Sequence, residues 1–205
     1  MALVPQLVNH MMRSWPVFIF AWLYVAAGLC SCADQESDQP STRREDPDRG
    51  HLQPNAFSDL PASIRADLEQ RGCSVPQSYP DSIPHNVIRG RFTSPDEVDI
   101  AVLCARDSTL TILVFRGAST DSVAELASQP HLDERIAGDT ASTFWHSRAI
   151  DSVDSSYIRI RFEAYGGPKP PPVLDHEGIN DIFVGKASVV WYWYGGRWLQ
   201  LQGAD

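Results

Sequence analysis

The chain has 205 residues, 43% of them hydrophobic, with 17 Lys and Arg against 26 Asp and Glu. That length fits one domain with flanking segments, and a formal charge of −9 argues against a nucleic-acid partner, which would need a basic stripe. The acidic residues are spread along the chain rather than gathered in a block, so they read as ordinary surface charge.

The first element is "RSWPVFIFAWLYVAAGLCSCADQ", in which Arg13 precedes an apolar run from Trp15 to Leu29. A spanning helix rises about 1.5 Å per residue and needs about 20 residues. The run is short for that and has the length of a signal-peptide core. The residues before Met11 carry no charge, unlike the start of a leader, so translation is expected to begin at Met11 or Met12. The run ends in "LCSC", with Leu29 at −3, Ser31 at −1 and Cys32 as acceptor. This resembles the lipobox of bacterial lipoproteins. The resemblance implies that residues 1–32 are a leader with a lipobox-like end, and that Cys32 becomes a diacylated N-terminus. Cys30 then leaves with the leader. Two acyl chains anchor stably where one binds only reversibly, so the membrane becomes a partner through lipid. With Ala33 in second place, the sorting pattern of enteric bacteria implies the outer membrane, facing the periplasm or the cell surface. The alternative is cleavage by the general signal peptidase after Ala33, using "SCA".

Subtracting Cys30 and Cys32 leaves Cys73 and Cys104. An even pair in an oxidising compartment reads as a disulfide. Two buried free thiols are the alternative. A structural zinc site wants four ligands at short local spacings, which two isolated cysteines do not supply, so no metal and no cofactor is expected.

Residues 33–56 contain almost no large apolar side chain and are expected to form a disordered tether that holds the folded part away from the bilayer. Residues 57–205 form the expected domain. It opens with "SDLPASIRADLEQRG", a helix with Ser58 or Asp59 as cap, Pro61 in the first turn and Gly72 after the last. Leu60, Ile64 and Leu68 recur at i, i+4 and i+8 as one apolar stripe. Period two then takes over in 86–92, 99–105, 110–115 and 122–127, and most cleanly in "YIRIRFEAY" (157–165). Residues 128–150 are ambiguous, and 166–182 read as a long loop with a polyproline stretch. The closing pair is "ASVVWYW" and "RWLQL". Successive strands without helical patterns between them indicate an antiparallel meander. The expected class is α+β: one N-terminal helix packed on an antiparallel meander in a single domain.

The stretch "GRFTSPDEVDIAVL" (90–103) is similar to the repeats of the FG-GAP and VCBS-like families of exported proteins. Gly90, Phe92 and Asp99 fall into place, followed by Ile100, Ala101, Val102 and Leu103. The positions that would supply oxygen ligands to calcium hold Arg91, Thr93 and Pro95, so the resemblance implies the strand–turn–strand shape without the ion. It covers fourteen residues once, and a propeller needs several blades.

Two groups of residues are candidates for chemistry. A two-residue Gly195-Gly196 turn would pair Tyr194 with Arg197, Trp193 with Trp198, and Tyr192 with Leu199. One face of this hairpin is expected on the helix stripe of Leu60, Ile64 and Leu68. Trp191, Trp193 and Trp198 would share a face that is either core packing or an exposed platform for sugar rings or a protein partner. The loop "DHEGIND" gathers Asp175, His176, Glu177 and Asp181, which are either solvated loop charges or acid–base groups. The spacing is neither H-E-x-x-H nor an EF-hand. His85 and His146 read as structural hydrogen-bonders. Nucleophile motifs of the G-x-S-x-G or S-x-x-K kind are missing, and Ser119 and Ser122 beside Asp121 do not make a triad by adjacency alone. The expected role is a non-catalytic binding or structural module of the cell envelope with a protein or glycan partner. The alternatives are an envelope hydrolase using the 175–181 carboxylates, and an inhibitor or assembly factor for an envelope enzyme.

Overall fold

The computed structural model describes residues 50–78, 83–130, 135–137, 144–171 and 173–204. The leader, with Cys30 and Cys32, and tether residues 33–49 lie outside the described residues.

The strands form two four-stranded antiparallel sheets. In the first, β3 (Val87–Gly90), β4 (Asp99–Arg106), β5 (Thr109–Phe115) and β6 (Val123–Pro130) follow in chain order. In the second, β9 (Arg148–Val153), β10 (Gly178–Phe183), β11 (Ala187–Tyr194) and β12 (Arg197–Gln202) do the same. Two short pairs complete the set: β1 (His51–Leu52) with β2 (Val75–Pro76), and β7 (Arg135–Ala137) with β8 (Phe144–His146). The described residues are thus β-rich and antiparallel, with two α-helices among them, α1 (Ala62–Gln70) and α2 (Ser155–Tyr165).

Side-chain parity orders the layers. Residues opposite one another in a ladder share a face. On one face of the first sheet, Ile100, Val102, Leu113 and Phe115 pack with Leu60, Ile64 and Leu68 of the α1 segment. On its other face Ala101, Leu103, Ile112 and Val114 meet Ile150, Ile179, Trp191 and Trp198 of the second sheet. The reverse of the second sheet, Val190, Tyr192 and Leu201, is covered by Ile158 of α2 and by Leu174. The order is therefore α1, first sheet, second sheet, α2. It explains why β4 and β5 are nearly unbroken apolar runs: both their faces are covered. The disulfide joins Cys73, just past α1, to Cys104 on β4, with Cα atoms 5.3 Å apart. It pins the helix to the sheet.

Four expectations need correction. Residues 157–165 belong to α2, not to a strand. Asp154 accepts from the Tyr157 N–H at 2.7 Å and so caps the helix, and Gly166 ends it. Ile158 and Phe162, four apart, face the core while Ile160 is exposed, so period 3.6 overrides the alternation read from sequence. His51–Leu52, inside the segment assigned to the tether, is strand β1. His51 is held by pairing with β2 and by a 2.8 Å contact between its Nδ1 and the Ser74 Oγ. Residues 178–182, read as loop, are central strand β10. Finally, α1 starts at Ala62 with Pro61 as its cap, and neither Ser58 nor Asp59 caps it.

Candidate functional site

The Gly195-Gly196 hairpin forms in the expected register, pairing Tyr194 with Arg197, Trp193 with Trp198 and Tyr192 with Leu199. Both glycines have positive φ, 60° and 79°, as a type I′ turn requires. The expectation that one face rests on the Leu60 stripe is not met. The Tyr192 face lies under α2, because α1 is spent on the first sheet. Nor is the indole face an open platform: Trp191, Trp193 and Trp198 are half-buried, and Trp191 and Trp198 pack into the core between the sheets.

Four segments meet at one end of the two sheets. They are the β3–β4 turn (91–98), the 3-10 turn Arg116–Ala118, the loop 175–177 and the tip of the β11–β12 hairpin. The Arg116 guanidinium lies 4.8 Å from the Trp193 ring centre, and Trp193 meets Trp198 edge-on at 5.6 Å. Glu177 is bound to the β3–β4 turn twice. Its N–H donates to the Arg91 carbonyl at 2.7 Å, and its Oε2 accepts from the Arg91 N–H at 2.7 Å. Gly90 makes this approach possible, since a Cβ there would come within 2.9 Å of Glu177 Oε2 and 2.5 Å of the Phe92 ring. Gly90 is thus needed for close packing.

Asp99, in the same stretch (90–103), is fully buried. Its Oδ2 accepts from the Phe92 N–H (3.0 Å), the Thr93 N–H (2.8 Å) and the Thr93 hydroxyl (2.9 Å), and its Oδ1 accepts from the Gly117 N–H at 2.8 Å. Protein donors take the place a cation would need, so Asp99 ties the β3–β4 turn to the 116–118 turn.

The four residues of the 175–181 group do not converge. Asp175 is exposed, His176 and Glu177 are half-buried, and Asp181 lies in β10 with its side chain toward the first sheet. There it holds Arg148 of β9 in a fork, Nε to Oδ1 at 2.7 Å and Nη2 to Oδ2 at 2.9 Å. Arg148 also donates to the carbonyls of Leu110 (3.2 Å) and Ala127 (3.0 Å). A ladder irregularity between Leu110 and Ile112, with Ala127 at φ 51°, accompanies these carbonyls. Among the described residues, no group of three His, Cys, Asp or Glu side chains is placed to hold a metal ion.

The histidines take structural roles. His85 Nε2 accepts from the Ser78 N–H at 2.7 Å, and the buried His146 meets His51 edge-on at 4.2 Å. Nearby Asn86, with φ 69°, donates to the Pro76 carbonyl (2.6 Å) and accepts from the Ile150 N–H (3.0 Å), joining the two sheets. Sequence reasoning missed Arg116, Arg148 and Asn86, whose partners are 33 or more residues away or on other strands. Only the positive φ of Asn86 had a local signal, since Asn tolerates that region. Ser119 and Asp121 make a local turn, with Ser119 Oγ donating to Asp121 at 3.1 Å.

Tyr192 is fully buried and its hydroxyl donates to the Pro168 carbonyl at 2.7 Å. Burial pushes its phenol above the ordinary value of 10.0, with Arg197 pulling the other way. The folded state therefore holds this proton more tightly than the unfolded chain. Stability from it is complete below pH 10 and is lost as pH climbs through the raised value. In alkaline unfolding followed by circular dichroism, Tyr192→Phe is expected to lose about 1 kcal/mol at neutral pH and to fall less steeply above pH 10.

Compared with protein families, curated proteins and solved structures, the chain matches none significantly.

Proposed function

We propose that this chain is an exported, lipid-anchored module of a bacterial cell envelope that binds rather than catalyses, and that the aromatic end of the sheets is its ligand surface. The Cys73–Cys104 disulfide carries the reading, because such bonds persist in oxidising compartments. The leader and its "LCSC" end agree with it. We take the folded part as one α+β domain with α1 packed on its first sheet.

The ligand surface rests on chemistry at the hairpin end. Trp193 and Arg116 are half-buried, so both reach solvent, and the Arg116 guanidinium lies 4.8 Å from the Trp193 ring centre. A partly open indole beside a guanidinium suits a ligand with an apolar face and acceptor groups, such as a glycan. No specific observation favours the hydrolase. It would need two free carboxylates across a bond, and the Asp181 carboxylate is engaged by Arg148.

The test has two arms. Mass spectrometry of the mature protein is expected to find a diacylglyceryl Cys32 in the membrane fraction, and Cys32→Ala is expected to abolish it. A cytosolic, reduced protein with its leader attached overturns the export reading. Purified full-length protein is expected to co-sediment with insoluble cell-wall polymer, and Trp193→Ala with Arg116→Ala is expected to weaken this roughly tenfold. Equal binding by that variant removes the hairpin end as the surface, and release of soluble sugar restores the hydrolase.

A further inference from the structure

A sheet has two edges, and each exposes backbone N–H and C=O groups that need a partner or a defence. Of the four edges of the two four-stranded sheets, three are defended among the described residues. At β9, the Arg148 carbonyl accepts from the Ser78 hydroxyl and the Ile150 N–H donates to Asn86 Oδ1. The edge of β3 runs alongside β9. On β6 the ladder is broken near Ala127, Glu125 adds charge, and the strand ends in Pro130, which has no N–H.

The fourth edge, β12, is different: the chain after α2 approaches it, a Cβ on Gly167 coming within 4.0 Å of the Gln200 carbonyl, but among the described residues no backbone bond closes it. The two-residue turn makes Tyr194 and Arg197 a hydrogen-bonded pair, so the pairs alternate from there. The Gly203 N–H donates to the Ser188 carbonyl at 2.8 Å, which keeps the same parity to the end of the strand. Arg197, Leu199 and Leu201 therefore spend their backbone groups on β11. Those of Trp198 and Gln200 point away from the sheet. Among the described residues they have no partner. The strand "RWLQLQ" has no proline, no lysine and no bulge.

We propose that two copies of this chain associate through β12, pairing antiparallel about Leu199 to make one continuous sheet from the second sheets of both. The match is self-complementary. Trp198 of one copy and Gln200 of the other exchange N–H and C=O bonds, and the reverse pair does the same. Leu199 faces Leu199 of the second copy in the close, non-hydrogen-bonded position. Arg197 falls opposite Leu201 of the second copy, so like charges are not opposed. Charge favours a second copy at this place. The chain carries −9, yet the whole hairpin 187–202 contains a single charged side chain, Arg197. An acidic molecule can meet itself here without opposing carboxylates. The association is independent of the lipid anchor and of any glycan.

Sedimentation of the full chain, in detergent if it is lipidated, tests this together with cysteine cross-linking. A reversible dimer is expected. Leu199→Cys is expected to give a disulfide-linked dimer on mild oxidation, well above wild type and above Asp121→Cys, an exposed collision control. Gln200→Pro removes one N–H from each copy while sparing the bonds to β11. It is expected to weaken association about thirtyfold, from two lost backbone bonds. Gln200→Lys, which keeps the backbone, is expected to weaken it as well, and circular dichroism of both variants checks the fold. A monomer at every concentration overturns the proposal. So does a dimer indifferent to both Gln200 variants and unlinked by Leu199→Cys, or a strand from a different protein found on this edge.

Discussion

Replacing Asp181 by alanine is expected to destabilise the protein by about 3–5 kcal/mol. For a chain of this size that lowers the melting temperature by roughly 6–20 °C. The side chains of Arg148 and Asp181 are only 3% and 2% exposed, so the guanidinium left behind cannot recover its charge compensation from water. The surface pair Arg71–Asp67 gives the contrast. Its Nε–Oδ2 contact is short, 2.5 Å, but the side chains are 27% and 21% exposed. Asp67→Ala is expected to cost less than about 1 kcal/mol. The double variant Arg148→Met with Asp181→Leu removes both charges and is expected to recover part of the loss. Recovery stays incomplete because Arg148 also satisfies the Leu110 and Ala127 carbonyls. A buried acceptor left unpaired costs about 1–3 kcal/mol. Thermal and urea unfolding of the four proteins would check this. An Asp181→Ala variant as stable as wild type would show that the fork does not hold the sheets together.

Removing the disulfide is the second large effect. Cys73 and Cys104 are 31 residues apart, and the chain-entropy model assigns a loop of this size roughly 3–4 kcal/mol. The cross-link acts chiefly on the unfolded chain, so Cys73→Ala with Cys104→Ala is expected to lower the urea midpoint and to raise the m-value modestly as the unfolded state expands. Both cysteines are 2% exposed. Dithiothreitol alone should therefore reduce the native protein slowly, and quickly once urea opens α1 from β4. Fast reduction without denaturant would mean that the helix end opens freely.

Half of the second sheet, the β11–β12 hairpin, was legible locally. The Gly-Gly pair and the flanking alternation specify the β11–β12 register, because a two-residue turn admits one pairing. The runs that became β4 and β5 are apolar enough to be strands on any reading, and the disulfide joins the Cys73–Cys104 pair that was expected. Residues 157–165 show the limit. Their alternation is as clean as any strand's, yet Asp154 at one end and Gly166 at the other set a helix whose Ile158 fits over Tyr192. Capping was present in the letters but weaker to the eye than period two. The candidate site was only half legible. Trp193 and Trp198 were visible as a pair, whereas Arg116, which stacks on Trp193, lies in the turn that follows β5 of the other sheet.

Asp181 makes the division plain. From its neighbours it reads as one of four acids and bases in a loop, and nothing in "DHEGIND" tells it from Asp175. Local order along the chain is enough for the hairpin turn and for strands such as β4, β5 and β11, since these depend on residues a few positions apart. Which carboxylate is exposed and which is locked inside depends on the face it lands on once β10 lies between β9 and β11. That in turn follows from how the two sheets stack, through Arg148, 33 residues earlier, and through carbonyls of the opposite sheet. Burial and charge pairing are properties of the assembled layers, so no window of sequence around Asp181 contains them.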